Sequence, residues 1–355
     1  MGTSERETSD NDPLPGNKPR VIVICGPTAT GKTAAGIALA RALGGEIISA
    51  DSMQVYRRMD IGTAKPTAAE RAAVAHHLID VVDPDEPFDA ARYAAQARAE
   101  VLALHRRGAV PVIVGGTGLY IKALLHGLFR SDAGDPAVRR RLAAEAETGG
   151  IRELHARLAA CDPESASRLH PNDTARILRA LEVFEVTGRS ISGFHREHRF
   201  AEAPFDALQI GLHLDRDVLY ERIDCRVDAM LAAGLEDEVR GLLSAGYGPQ
   251  LKSMQSIGYS HTAAWIAGRI GRDEAVRTLK RDTRRFAKRQ MTWFRADSQI
   301  VWSRPDRISE ITRLAREYLL RTPPDSAGTP SAGRPPSDIL GEKLVTQVDR
   351  LKAED

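Results

Sequence analysis

The sequence predicts an α/β fold: a parallel sheet flanked by helices and interrupted by a helical insertion domain. Three apolar strands in the first half, 21–25, 46–50 and 110–114, each run into a polar or glycine-rich loop. Their near-continuous hydrophobic character is that of parallel strands buried on both faces. Helical stretches separate them, such as 89–107, where Tyr93, Ala97, Val101 and Leu104 recur on one face. Strand alternating with helix implies a doubly wound sheet with ligands at the carboxyl ends of the strands, so the three loops belong to one crevice. From about residue 131 to 199 the strand pattern stops and charged helical segments follow one another, at 135–147, 151–160 and 173–186. That stretch reads as the insertion.

The first strand delivers Gly26, Pro27, Thr28, Ala29, Thr30, Gly31, Lys32 and Thr33, and a helical segment follows at 34–43. This is a P-loop in its strand-to-helix context, which makes the fold P-loop NTPase-like. The glycines let backbone N–H groups close around an anion at the positive end of the next helix. Lys32 adds a point charge, and the Thr33 hydroxyl suits a magnesium ion. Whether the phosphates belong to a nucleotide or to another molecule is open at this point.

The second strand runs directly into Asp51, 18 positions after Thr33, on the rim of the same crevice. Three roles are open to it: a helix cap, a magnesium or ribose contact, or a base that accepts a proton in a transfer reaction. Ser52 and Gln54 add hydrogen-bonding groups beside it. The third strand enters Gly115, Gly116, Thr117 and Gly118, which is either a tight turn or a place where backbone approaches a ligand. It lacks the acidic residue that nucleotide hydrolases carry after such a strand. Segment 78–83 has acids, but Asp83 and Pro84 read as a turn, so an ATP-hydrolysing motor is disfavoured.

A strand at 207–214 should return to the sheet, followed by a helix at 217–232 with Arg222 and Arg226 one turn apart. Both can face one anion, or they can join Glu221 and Asp224 in a solvated face. Arg176 and Arg179 share a face of the insertion in the same ambiguous way. Between 271 and 295 nine bases stand against three acids, a candidate phosphate contact that includes Arg284, Arg285 and Lys288. Trp293 and Phe294 interleave with these bases, suiting either nucleic acid or docking onto the core. That basic helix is expected to close the folded part.

The domain boundaries expected are a disordered 1–19, a first part of the core at 20–130, the insertion at 131–200, a second part at 201–321 and a low-complexity tail at 322–355. A short terminal helix through Leu340, Leu344, Val348 and Leu351 is a further expectation. The 355 residues are 42 % hydrophobic, enough for a sizeable core, and no run approaches the ~18 apolar residues of a membrane span. The N-terminus has no signal-peptide pattern. Cys25, Cys161 and Cys225 lie far apart, against a disulfide frame or structural zinc site. A cytoplasmic protein is expected.

Taken together, GPTATGKT, ISADSMQVY, IGTAKP, VGGTGLY, HPNDTARILRALEV and AKRQMTWFR, in this order between about residues 20 and 304, resemble the tRNA dimethylallyltransferases, also called tRNA isopentenyltransferases. The resemblance implies transfer of the dimethylallyl group of dimethylallyl diphosphate to N6 of adenine 37 in tRNA, with magnesium as cofactor. It implies that the P-loop, with Lys32, magnesium at Thr33 and Arg226, holds the diphosphate, and that Asp51 is the base. It assigns RNA contacts to Asp51, Ser52, Met53, Gln54, Thr117 and Arg139. The Arg176, Arg179, Ser256, Ile257, Gly258 and Tyr259 regions should grip the anticodon stem-loop. A monomer suffices for this chemistry. An adenylate dimethylallyltransferase shares the P-loop, Asp51 and the loop threonine, but needs neither the insertion nor the basic helix. A small-molecule kinase rests on the P-loop alone, and a non-catalytic RNA-binding protein would leave the loop without a task.

Overall fold

The computed structural model of the protein describes residues 18–128, 134–198 and 203–321. The expectations for the N-terminal arm, the 322–355 tail and its short helix lie outside these residues, except at 18 and 19. In chain order the elements are β1 (Arg20–Cys25), α1 (Lys32–Leu43), β2 (Gly45–Ser49), α2 (Ala68–Ala73), β3 (His76–His77), α3 (Ala90–Arg106), β4 (Val110–Val114) and α4 (Gly118–His126). Then come α5 (Pro136–Thr148), α6 (Ile151–Cys161), α7 (Pro163–Arg168), α8 (Thr174–Thr187) and α9 (Ile191–His198). The last group is β5 (Asp206–Leu212), α10 (Arg216–Ala232), α11 (Leu235–Ser244), α12 (Tyr259–Ile266), α13 (Arg272–Arg295), β6 (Val301–Ser303) and α14 (Ile308–Leu320).

The chain forms two compact units, one running through Leu125 and resuming at Pro204, the other His126–Ala203. In the first, six parallel strands form one sheet in the order β3-β2-β4-β1-β5-β6. Chain order and sheet order differ because each parallel neighbour needs a crossover. Ile22, Ile24, Val112, Ile210 and Leu212 lie at 0 % exposure, as strands covered on both faces require. On one face they pack with Leu39 and Ala40 of α1 and with Ile311, Ala315 and Tyr318 of α14. Cys25, at the end of β1, is fully buried, and burial pushes its thiol up to about 12, which suits an inert core residue.

One expectation is corrected here. The basic helix does not close the fold: β6 and α14 follow it, adding an edge strand and a covering helix. Three residues are too few for a period-2 pattern to stand out, so β6 is visible only through its pairing with Ile210, Gly211 and Leu212.

The second unit is helical. Leu142 of α5, Leu154 and Leu158 of α6, Ala166 of α7, and Ile177 and Leu181 of α8 form its core. Asp135 and Asp173 cap α5 and α8 by accepting backbone N–H groups. Among the described residues no helix is long and apolar enough to cross a membrane.

Candidate functional site

The loops after β1, β2 and β4 lie at the same end of the sheet because the strands are parallel and adjacent. Backbone bonds stitch them: Ala50 N–H donates to Val114 O at 2.8 Å, Gly115 N–H to Ile24 O at 3.1 Å and Thr117 N–H to Ala50 O at 3.1 Å. They border a cavity of about 340 Å³ whose wall includes Lys32, Thr33, Asp51, Gln54, Gly115, Arg222 and Arg226.

The P-loop has the backbone its residues predict. Gly26 sits at φ +134, and a Cβ there would lie 2.4 Å from Leu212 O, so only glycine fits. Ala29 adopts φ 65 and Gly31 φ 89, turning the loop before α1 begins. No side chain caps α1 at Gly31, which leaves first-turn N–H groups available to an anion. The Thr30 hydroxyl, fully buried, donates to Pro27 O at 2.8 Å and holds the loop closed. Lys32 Nζ donates to the same carbonyl at 2.6 Å.

Positive charge gathers around this loop. Arg222 and Arg226 of α10 both reach the cavity wall, and Arg226 Nη1 donates to Thr28 Oγ1 at 3.1 Å. Burial and the Arg226 guanidinium lower the Lys32 ammonium from 10.5 to about 8, against an opposing pull from Asp51. Arg226 is also lowered, by burial, with Asp51 again opposing. Three cations held together without an equivalent number of acids make a site suited to a multiply charged anion.

Asp51 does not cap a helix. Its Oδ1 accepts from Met53 N–H at 2.8 Å and Gln54 N–H at 3.4 Å, closing a turn, while Oδ2 has no hydrogen bond among the described residues. Thr117 Oγ1 accepts from Ser52 N–H at 3.0 Å, so the β2 and β4 loops are tied beside Asp51. Gln54 braces its own surroundings, accepting from Ser49 Oγ at 3.1 Å and donating to Ala64 O at 3.3 Å. The acids of 78–83 stay out of the cavity wall. Asp80 pairs with Lys65 and Arg71, which hold its carboxyl below the usual range although burial alone would raise it.

The remaining residues expected to touch RNA divide. Arg285 and Lys288 are exposed on α13, beside Trp293 and Phe286 at 45 % and 37 % exposure. Arg284, expected as a phosphate contact, pairs with Asp224 of α10, and Arg285 lies 3.4 Å from Asp282 on its own helix. Tyr259 needs correction: it is 0 % exposed, and its hydroxyl donates to Glu238 Oε1 at 2.6 Å. It packs the core and presents nothing to a partner. Ser256 bonds Ser253 O at 2.6 Å, Ile257 is half-buried and Gly258 opens α12 at φ 97. In the helical unit Arg139 and Arg179 approach the buried Glu182 at 3.7 and 2.9 Å, and Arg176 pairs with Asp173 at 2.9 Å.

Two residues that sequence reasoning missed organise the site. Gln290 of α13 bonds both the P-loop and the Gly116 loop. Its signal was a polar residue on the apolar stripe Ala287, Gln290, Phe294. Glu238 of α11 accepts N–H bonds from Asp60, Ile61 and Gly62 at 2.8, 2.8 and 3.1 Å, fixing the segment that brings Thr63 and Ala64 to the cavity. In the acidic run 236–238 nothing distinguishes it from its solvated neighbours.

Fold and site together define a P-loop α/β protein whose cavity sets a phosphate-binding type of loop beside a carboxylate. The chain belongs to the IPP transferase family, whose model matches residues 54–297. It is 60 % identical over 303 residues to the tRNA dimethylallyltransferase of Desulfosudis oleivorans, covering 85 % of this chain and 96 % of that one. It is 56 % identical over 298 residues to the tRNA dimethylallyltransferase of Syntrophobacter fumaroxidans, covering 84 % and 87 %. Among solved structures it resembles the tRNA isopentenylpyrophosphate transferase of Bacillus halodurans, with a TM-score of 0.65, 41 % identity and coverage of 85 % and 97 %. A eukaryotic dimethylallyltransferase acting on tRNA matches with a TM-score of 0.72, 28 % identity and coverage of 93 % and 85 %.

Proposed function

We propose that the protein is a tRNA prenyltransferase that moves the dimethylallyl group of dimethylallyl diphosphate to N6 of adenine 37 and releases diphosphate. The observation that carries this reading is one cavity in which a phosphate loop with Lys32, Arg222 and Arg226 adjoins the Asp51 carboxylate. The family membership supports the same chemistry.

The allylic C–O bond breaks and its electron pair leaves with the diphosphate. Backbone N–H groups of Ala29 to Thr33, with Lys32 and Arg226, stabilise the charge that develops there. The N6 lone pair forms the new C–N bond, and the departing N6 proton passes to Asp51. That transfer matters because the N6 lone pair is delocalised into the ring and is a weak nucleophile until the proton leaves. Asp51 suits the task because Oδ1 is spent on the turn, which orients the carboxylate, while Oδ2 remains to accept. Ser52, Met53, Gln54 and Thr117 border the adenine.

A magnesium ion fits this chemistry. Thr33 offers a hydroxyl at the phosphate end of the cavity, and magnesium commonly takes its other ligands from phosphate and water. Bound there it would neutralise diphosphate charge. Adenine 37 must leave its stack, at a cost of about a few kcal/mol. Basic groups offset this: Arg285 and Lys288 on α13, and Arg139, Arg176 and Arg179 in the helical unit. The enzyme acts as a monomer in the cytoplasm.

The test is direct. Purified protein is incubated with total tRNA, dimethylallyl diphosphate and magnesium, and the RNA is digested to nucleosides. N6-dimethylallyladenosine is the expected product, without ATP. Preference for free AMP over an anticodon stem-loop would make it an adenylate prenyltransferase, and a requirement for ATP would make it a kinase.

A further inference from the structure

Helix α13 carries a glutamine that faces the core. Gln290 is 8 % exposed and shares a stripe with Ala287 and Phe294, where a hydrophobic residue would be ordinary. Burying a primary amide is unfavourable unless both ends find partners. Here both do. Gln290 Oε1 accepts from Thr28 N–H at 2.8 Å, and Nε2 donates to Gly116 O at 2.8 Å. This amide orientation is the one that pairs donor with acceptor at each end; a flip would set like against like. The approach is close enough that a Cβ on residue 116 would stand 2.3 Å from Nε2 and displace the amide.

The two partners belong to different halves of the site. Thr28 lies in the P-loop, and its hydroxyl receives Arg226. Gly116 immediately precedes Thr117, whose hydroxyl oxygen receives Ser52 N–H next to Asp51. Strand pairing between β1 and β4 reaches Ile24 and Val114, with one more bond at Gly115 N–H. Beyond that point the Gln290 amide spans the gap between the loops.

We infer that Gln290 is a positioning residue that sets the separation between the loop holding the leaving diphosphate and the loops holding the base and the acceptor. This rests on the prenyl-transfer reading above. Displacement at the allylic carbon requires N6, that carbon and the leaving oxygen to be held in line. An error of about 1 Å in such an arrangement can lower a rate by about 10²-fold. Gln290 touches none of the reacting atoms and acts through Thr28 and Gly116.

Two variants test it. Gln290→Leu keeps the volume and removes both bonds. Gln290→Glu keeps the acceptor for Thr28 N–H but turns a carboxylate oxygen toward Gly116 O. Single-turnover transfer is measured with tRNA and dimethylallyl diphosphate saturating, alongside tRNA affinity, donor KM and thermal midpoint. The rate constant of the folded fraction is expected to fall by about 10²-fold in both variants. Affinity for tRNA should change less than about twofold, because the outer face of α13 is untouched, and donor KM should move less than kcat, because the cations remain. A purely structural glutamine would lower the reaction amplitude and leave the rate constant at the wild-type value, and that result overturns the inference. If Gln290→Leu does not fold, Gln290→Glu decides alone. Failure of the wild type to prenylate tRNA would sink the functional reading itself, whereas normal rate constants in the variants sink only the role of Gln290.

Discussion

Arg284 of α13 grips Asp224 of α10 with two nitrogens: Nε and Nη2 lie 3.0 and 2.8 Å from Oδ1, and Nη2 is 2.7 Å from Oδ2. The guanidinium also lies 5.8 Å over the ring of Tyr220. The pair fastens the basic helix to the helix that carries Arg222 and Arg226. Arg284→Ala should therefore cost about 1 kcal/mol of stability, read as a lower urea midpoint, and leave the salt dependence of tRNA binding nearly unchanged.

Arg285 and Lys288 should behave oppositely, being exposed on the same helix. Replacing both with alanine is expected to raise KM for tRNA and leave donor KM alone. Each lost phosphate contact should flatten the log–log salt dependence of tRNA affinity by about 0.7 to 0.9. An unchanged slope would remove this face of α13 from the RNA interface.

Asp51→Asn separates the turn from the base. Asparagine keeps an oxygen for Met53 N–H but cannot take a proton, so the fold and tRNA affinity should persist. The single-turnover rate should drop by about 10² to 10⁴-fold. Near-wild-type transfer would confine Asp51 to closing its turn.

Lys32→Ala should lower kcat/KM by about 10²-fold or more, through loss of a charge aimed at the leaving group. The depressed ammonium adds a pH signature. Between about 8 and 10.5 the unfolded chain holds a proton that the folded protein lacks, so this residue's contribution to stability rises with pH across that window. Below the window its full penalty is present. Wild type should gain stability relative to Lys32→Met over that range. Pyrophosphate, which prefers the charged amine, should bind less well as pH rises above about 8, and Lys32→Arg should remove the break. Calorimetric titration across pH checks both, and a pH-independent wild type would contradict the lowered value.

Glu238→Ala strips the acceptor from three backbone N–H groups and the Tyr259 hydroxyl. A loss of about 2 to 4 kcal/mol is expected in equilibrium unfolding. Donor KM should rise too, since Thr63 and Ala64 line the cavity. A variant of wild-type stability would mean that water replaces the carboxylate.

Much of this architecture was legible because its causes are local. The buried strands, the glycine-rich loop after β1 and the capped helices of the insertion each depend on residues within one turn or one strand. β4 spans 110–114 as its pattern predicts, and β1 and β2 start one residue earlier than expected, with β2 also ending one earlier. What escaped depends on partners far away in the chain. Gln290 is 262 residues from Thr28, and Glu238 is 176 residues from Gly62. Gln290 shows locally only as a polar residue on an apolar stripe, and Glu238 leaves no mark on local periodicity.

The sequence by itself determined the chemistry of the phosphate loop, the parallel character of the sheet and the placement of Asp51 at a strand end. In each case spacing along a strand or turn dictates which atoms face which way. Only the tertiary structure decided which charges are free to act. Arg222 and Arg226 reach the cavity, whereas Arg284 is paired with Asp224 and Tyr259 is buried against Glu238. An arginine on a helix has the same local environment in both situations. Its role follows from the helix packed against it, which the sheet order and the crossing of α10 with α13 supply.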